Sequence, residues 1–198
     1  MSNYLLDSSR GPVSVDPHEY WLRERKIFIE GEITPSLTND VIRQIMYLEK
    51  DSTDKGITIF VNSPGGDVTA GLSVFDCISK TKSPITTVCT GLAASMGAII
   101  FLSGDPDKRF LLESSRLMIH DPAYGGNHSV ANLKPHEIQS ELDELNKCRD
   151  KLAHIIADRT GQPLSKILEV TKKDSFFNLD EAVEFGLATG GVPYDIFF

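Results

Sequence analysis

The stretch ITTVCTGLAASMGAIIFLSG, residues 85–104, decides how the chain is read. Ile85 to Thr90 is rich in β-branched side chains and reads as a strand, whereas Met96 to Leu102 has the character of a buried helix. Between them lie Gly91 and a few small or apolar residues, with one hydroxyl, Ser95, where strand becomes helix. Small neighbours let a backbone turn sharply, and a helix N-terminus presents free N–H groups to negative charge. A nucleophile is displayed in this way, but small residues also serve close helix packing, and the stretch alone leaves both readings open.

The same strand–turn–helix pattern recurs upstream. ITIFVN (57–62) is a β-branched strand, SPGGD breaks it, and residues 67–81 place Val68, Leu72, Val74, Phe75 and Ile78 at helical spacing. Earlier, HEYWLRERK suggests a short amphipathic helix and KIFIEGEI a strand closed by a turn at Gly31. Thr38-Asn39-Asp40 offers caps for a following helix with Val41, Ile42, Ile45, Met46 and Leu48 on its apolar side. Such units in succession imply parallel strands and an α/β fold.

Two further strand-like runs follow, RFLLE (109–113) and RLMIH (116–120). Residues 121–135 are loop-like, and residues 136–161 predict a long, charged, projecting helix ending at Gly161. A shorter helix is expected from Pro163 to Lys173 and a last one over 180–186. Residues 1–17, rich in Ser, Gly and Pro, read as an arm outside the core, so one domain over 18–198 is expected.

A chain of 198 residues can bury a proper core without disulfides or metal. Its net charge of -8, with no basic face visible, argues against nucleic acid as the partner. Cys77, Cys89 and Cys148 are odd in number and widely spaced, so buried reduced thiols are expected rather than a disulfide framework or zinc site. The longest apolar run falls short of the roughly 20 residues that span a bilayer, and the N-terminus lacks the pattern of a secretory signal. The expectation is a cytoplasmic protein with no metal, cofactor, membrane or nucleic-acid partner.

Nucleophilic catalysis by serine needs a base, a group that orients the base, and N–H donors for the oxyanion. His120 ends a strand-like run, where active sites of α/β proteins gather, although a structural histidine fits there too. His18, His128, His136 and His154 stand in loops or on polar helix faces. Asp174, close to Phe176 and Phe177, is an acid in need of a partner, an exposed loop charge, or a helix cap. Gly65-Gly66 could bring backbone N–H groups to a substrate carbonyl or be a plain tight turn, and it lacks the Lys-Ser/Thr ending of a phosphate loop.

NSPGGDVTAG (62–71), GLAASMGAII (91–100), RLMIHDP (116–122), TGQPL (160–164), TKKD (171–174) and EAVEFGLA (181–188) stand in the order found in one family. From about Arg10 nearly to its C-terminus, the chain resembles the proteolytic subunit of the Clp protease. The resemblance implies a Clp/crotonase-like fold of repeated ββα/βα units with a projecting helical handle, here about 123–161. It implies a Ser95–His120–Asp174 triad, with the backbone N–H groups of Gly66 and Met96 as the oxyanion hole. It also implies an endopeptidase of unfolded proteins and short peptides, working inside a tetradecamer of stacked heptameric rings. The N-terminal arm would line the axial pore, and a partner AAA+ ATPase would feed substrates in.

Asp121-Pro122 stands where the family commonly has Gln-Pro, Lys173 where it commonly has Arg, and the tail GGVPYDIFF is its own. These departures point to a divergent paralogue, working alone or in a mixed assembly with a more typical subunit. Two rivals remain open: an inert ring subunit that organises an assembly, and a crotonase-type enzyme acting on acyl-CoA thioesters.

Overall fold

Runs of β-branched residues become strands and the apolar-periodic runs between them become helices. The structure, a computed structural model, describes residues 3–7, 9, 11–124 and 132–197. In chain order it comprises β1 (Tyr4–Leu6), β2 (Val13–Val15), α1 (Pro17–Arg23), β3 (Lys26–Glu30), α2 (Pro35–Asp51), β4 (Ile57–Ser63) and α3 (Val68–Lys80). There follow β5 (Ile85–Ala94), α4 (Met96–Phe101), β6 (Arg109–Leu111), β7 (Arg116–Ile119) and α5 (Pro135–Thr160). The chain closes with α6 (Leu164–Val170), β8 (Ser175–Phe177), α7 (Leu179–Phe185), β9 (Gly190–Gly191) and α8 (Tyr194–Phe197).

Strands β3, β4, β5, β6 and β9 lie side by side and parallel. Strand β5 has two partners on one edge: β6 along Thr87–Cys89, then β7 along Leu92–Ala94. The sheet therefore forks, and β8 joins the β7 branch antiparallel. On one face Ile27, Ile29, Ile59 and Val61 are buried with Val41, Ile45 and Leu48 of α2 and Val74 and Ile78 of α3. All of α4 is buried. On the other face Phe28 stacks on Phe60 with centroids 5.0 Å apart, and Phe197 of α8 lies 5.5 Å from Phe60.

Several boundaries differ from the sequence reading. Helix α2 is capped by Thr34 rather than by Thr38–Asp40, since Pro35 at its first position presets the helical φ and Thr34 Oγ1 accepts the Leu37 N–H at 3.3 Å. Thr38 is instead a buried residue of the helix. Helix α6 stops at Val170, short of Lys173, because the Thr171 carbonyl turns to accept the Asp121 N–H at 2.7 Å. Strand β5 runs past Thr90 and Gly91 to Ala94. Within the arm, β1 and β2 form an antiparallel hairpin. Of the three free cysteines only Cys89 is buried; Cys77 and Cys148 are half-buried.

Helix α5 ends as expected at Gly161, whose φ of 72° closes it in the left-handed conformation. At 26 residues it is about 39 Å long, and its buried residues are Leu152, Ala153 and Ile156, all in the C-terminal half. Residues 1, 2, 8 and 10 of the arm, residues 125–131 of the expected handle, His128 among them, and residue 198 lie outside the described residues.

Candidate active site

Strand β5 delivers Ser95 to the head of α4 through a backbone that few residues adopt. Its φ of 53° and ψ of -121° cost about 1–3 kcal/mol, a strain that surrounding structure must hold in place. The hold is visible on three sides. The Ser95 N–H donates to Met118 O of β7 at 2.9 Å, and the Ser95 carbonyl accepts from Ala98 and Ile99 at 3.0 and 3.2 Å. A Cβ on Gly97 would sit 2.9 Å from Ser63 O, so only glycine lets α4 lie this close to β4. The Ser95 hydroxyl caps nothing in α4 and faces a cleft.

The register of β7 and β8 brings the next two groups together. Ile119 pairs with Ser175, and one further step of that antiparallel register sets His120 opposite Asp174. Their contact is His120 Nδ1 to Asp174 Oδ1, 3.2 Å, with the imidazole 29% exposed and the carboxylate 63% exposed. The open choice for Asp174 thus resolves into a partnered acid on the surface, while the cap of α7 is Asn178. Since β7 is also paired to the end of β5, His120 comes to the cleft that Ser95 lines.

Two backbone donors complete the arrangement. Beyond β4 the chain turns at Gly65 and Gly66, with φ of 100° and 150°. Ile33 donates to Gly65 O at 2.8 Å and accepts from Asp67 N at 2.9 Å, so the intervening Gly66 N–H points the opposite way. Side chains cannot substitute here: a Cβ on Gly66 would stand 2.4 Å from Ile33 O, and one on Gly65 would stand 2.7 Å from Ser95 Cβ. Met96, first residue of α4, has a backbone N–H with no partner inside the helix. Gly66 and Met96 both line the cleft with Ser95 and His120, an arrangement that can stabilise an oxyanion beside a hydroxyl and an imidazole.

Sequence reasoning did not anticipate the apolar half of the cleft. Its volume is about 250 Å³, and its walls include Ile99, Leu152, Ile156 and Tyr124. Leu152 and Ile156 are four apart on the buried side of α5, a spacing that by itself says only that the helix packs on something. Tyr124 donates from its hydroxyl to Glu141 O at 2.8 Å, fastening the strand-to-helix connection to α5. Burial, together with the carboxylates of Glu141 and Glu144, pushes its phenol pKa up, so it remains a neutral donor.

Among the described residues no cluster of His, Cys, Asp and Glu is arranged to hold a metal ion, and no helix is long and apolar enough to cross a membrane. A family model described as Clp protease matches residues 9–190.

Proposed function

The chain belongs to the Clp protease family, and we propose that it is a serine endopeptidase whose nucleophile is Ser95, whose base is His120 and whose orienting acid is Asp174. His120 takes the Ser95 proton as Oγ attacks the peptide carbonyl, and the developing negative charge is met by the N–H groups of Gly66 and Met96. Collapse of the tetrahedral adduct breaks the C–N bond, His120 returns the proton to the leaving amine, and the acyl group stays on Ser95. Water, deprotonated by the same imidazole, adds to the acyl carbon, and the Oγ–acyl bond breaks as His120 returns the proton to Ser95 Oγ, releasing the acid product. Asp174, bonded at Nδ1, fixes the tautomer that leaves the other ring nitrogen free to accept.

The single observation that carries this reading is the His120–Asp174 contact beside a strained serine whose hydroxyl makes no capping bond. Each partner has another structural use in principle, but a strained serine in the same cleft as the pair is a combination that clusters at active sites. The apolar walls at Ile99, Leu152 and Ile156 suit a hydrophobic side chain next to the scissile bond. Family membership supports a cytoplasmic, ring-forming subunit, in stacked heptamers of this chain or with a paralogous chain, supplied with unfolded polypeptide by an AAA+ ATPase.

Labelling with a fluorophosphonate probe tests the assignment. A covalent adduct that is absent in Ser95→Ala is the expected result. An unlabelled native protein refutes it and leaves the inert ring subunit as the better account, and equal labelling of the variant refutes Ser95 as the nucleophile.

A further inference from the structure

The cleft at Ser95, about 250 Å³, is smaller than the roughly 300–1,000 Å³ of sites that hold a whole ligand. An extended peptide bound only there would contribute little beyond one side chain. Beside it, sharing Val68 as a wall, lies a furrow of about 540 Å³ between α3 and α5. Val68, Leu72 and Asp76 are spaced by four on α3, with Thr69 and Ser73 beside them, while Glu144, Lys147, Cys148 and Lys151 stand on the facing side of α5. The two helices are tied near their C-terminal ends, where Arg159 reaches Ser79 Oγ at 3.3 Å and its guanidinium lies 5.1 Å from the Phe75 ring centroid.

Resting on the peptidase reading above, we propose that this furrow is the outer part of the substrate site and holds peptide residues several positions from the scissile bond. Val68 makes it continuous with the cleft. Its floor, formed by Val68, Leu72 and Cys148, accepts apolar side chains, and its rims carry charge of both signs. Glu144 and Lys147 pair with each other at 3.3 Å. Asp76 on the α3 rim and Lys151 on the α5 rim have no ion-pair partner among the described residues, so they are the groups that select charge in the bound chain. Binding energy gathered here is remote from the chemistry, and it lowers the barrier by holding the scissile carbonyl over Ser95.

The experiment compares a blocked dipeptide amide, confined to the cleft, with a decapeptide that carries the same residues at the scissile bond. The native full-length chain should cleave the decapeptide with the higher kcat/KM. Ser73→Phe, which fills the furrow without touching the cleft, should lower decapeptide kcat/KM about tenfold while changing the dipeptide by less than about twofold. Because the Ser73 hydroxyl also donates to Ala70 O within α3 at 2.6 Å, a second pair of variants on the rims is included. Lys151→Glu should penalise decapeptides with an acidic remote residue and favour basic ones, and Asp76→Lys should do the reverse.

Equal losses on both substrates, no length advantage in the native chain, or charge-blind behaviour of the rim variants overturns the proposal. A change in oligomer size with Ser73→Phe, accompanied by equal losses, identifies the furrow as a contact between copies of this chain instead. Failure of the native protein to cleave either peptide or to take the fluorophosphonate overturns the peptidase reading itself, and the furrow's role with it.

Discussion

Replacing Asp174 by Asn keeps the shape of the side chain and removes its charge, and the geometry sets how much that should cost. At the observed 3.2 Å, a full charge pair is worth about 1.3 kcal/mol in bulk water and about 5 kcal/mol at an effective dielectric constant of about 20. With its carboxylate 63% exposed and its imidazole 29% exposed, the pair belongs between those limits, at about 2–3 kcal/mol after solvent screening. That free energy is realised when His120 becomes cationic in the transition state, so kcat should fall about 30- to 150-fold with KM nearly unchanged. A buried carboxylate in the same role is worth about 10⁴-fold, and the exposure of Asp174 is the reason to expect less. Initial rates on a chromogenic peptide, with Ser95→Ala as the floor and thermal unfolding as the check on folding, give the number. Activity within about twofold of the native protein would refute the orienting role, and a folded variant at the Ser95→Ala floor would refute the screening argument.

Gly66→Ala forces a methyl to within 2.4 Å of Ile33 O, so it should displace the donor strand, lower peptidase activity by about 10²-fold or more, and lower Tm; native activity would show that the Gly66 N–H is not an oxyanion donor. Arg25 is buried, and its guanidinium donates to the carbonyls of Leu48, Ser52, Lys55 and Gly56 around the end of α2, so Arg25→Met should cost about 3–5 kcal/mol in a denaturant titration; a loss below about 1 kcal/mol would mean that water replaces it freely. Burial raises the Glu49 pKa, but bonds from the Lys82 N–H, the Ser83 N–H and the Ser83 hydroxyl outweigh that and hold it below the usual carboxylate range. A carboxyl with a depressed folded-state pKa stabilises above its unfolded value of about 4.3 and loses that contribution as pH falls through the folded value. Glu49→Gln should therefore be less stable than the native chain at neutral pH, with the gap in denaturant midpoint closing toward pH 3; a gap constant with pH would refute the assignment.

The repeating strand–turn–helix units are legible in the sequence because each strand is β-branched and each helix has a one-sided apolar stripe. The long helix and its stop at Gly161 are legible for the same reason. What escapes is short or decided by distant contacts. Strand β9 consists of two glycines, with no side chain to signal it, and is a strand because Phe110 and Leu111 lie beside it. Strand β8 has three residues and owes its place to pairing with β7. The Thr34 cap is hidden because Thr38 to Asp40 look more like a helix start than Thr34-Pro35 does. At the site, residue types and turns can be read locally, and the family resemblance names the partners. The meeting of His120 with Asp174 depends on strand register across more than fifty residues, which no local pattern encodes, and the apolar wall is built from a helix that reads as surface.

Forking of the sheet along β5 divides the candidate machinery between its stem and one of its prongs. Ser95 and its backbone donors belong to the stem formed by β4, β5 and α4, whereas His120 and Asp174 ride together on the β7–β8 prong. Bending at the fork would move the imidazole and carboxylate as one rigid pair, leaving their 3.2 Å contact intact while the serine loses its base. The bond from Ser95 N–H to Met118 O, with the β5–β7 pairing at Leu92–Ala94, is what such bending would have to strain. An idle form of this protein would then show an intact acid–base pair and a deserted nucleophile, and spectroscopy on the histidine alone would report it as active.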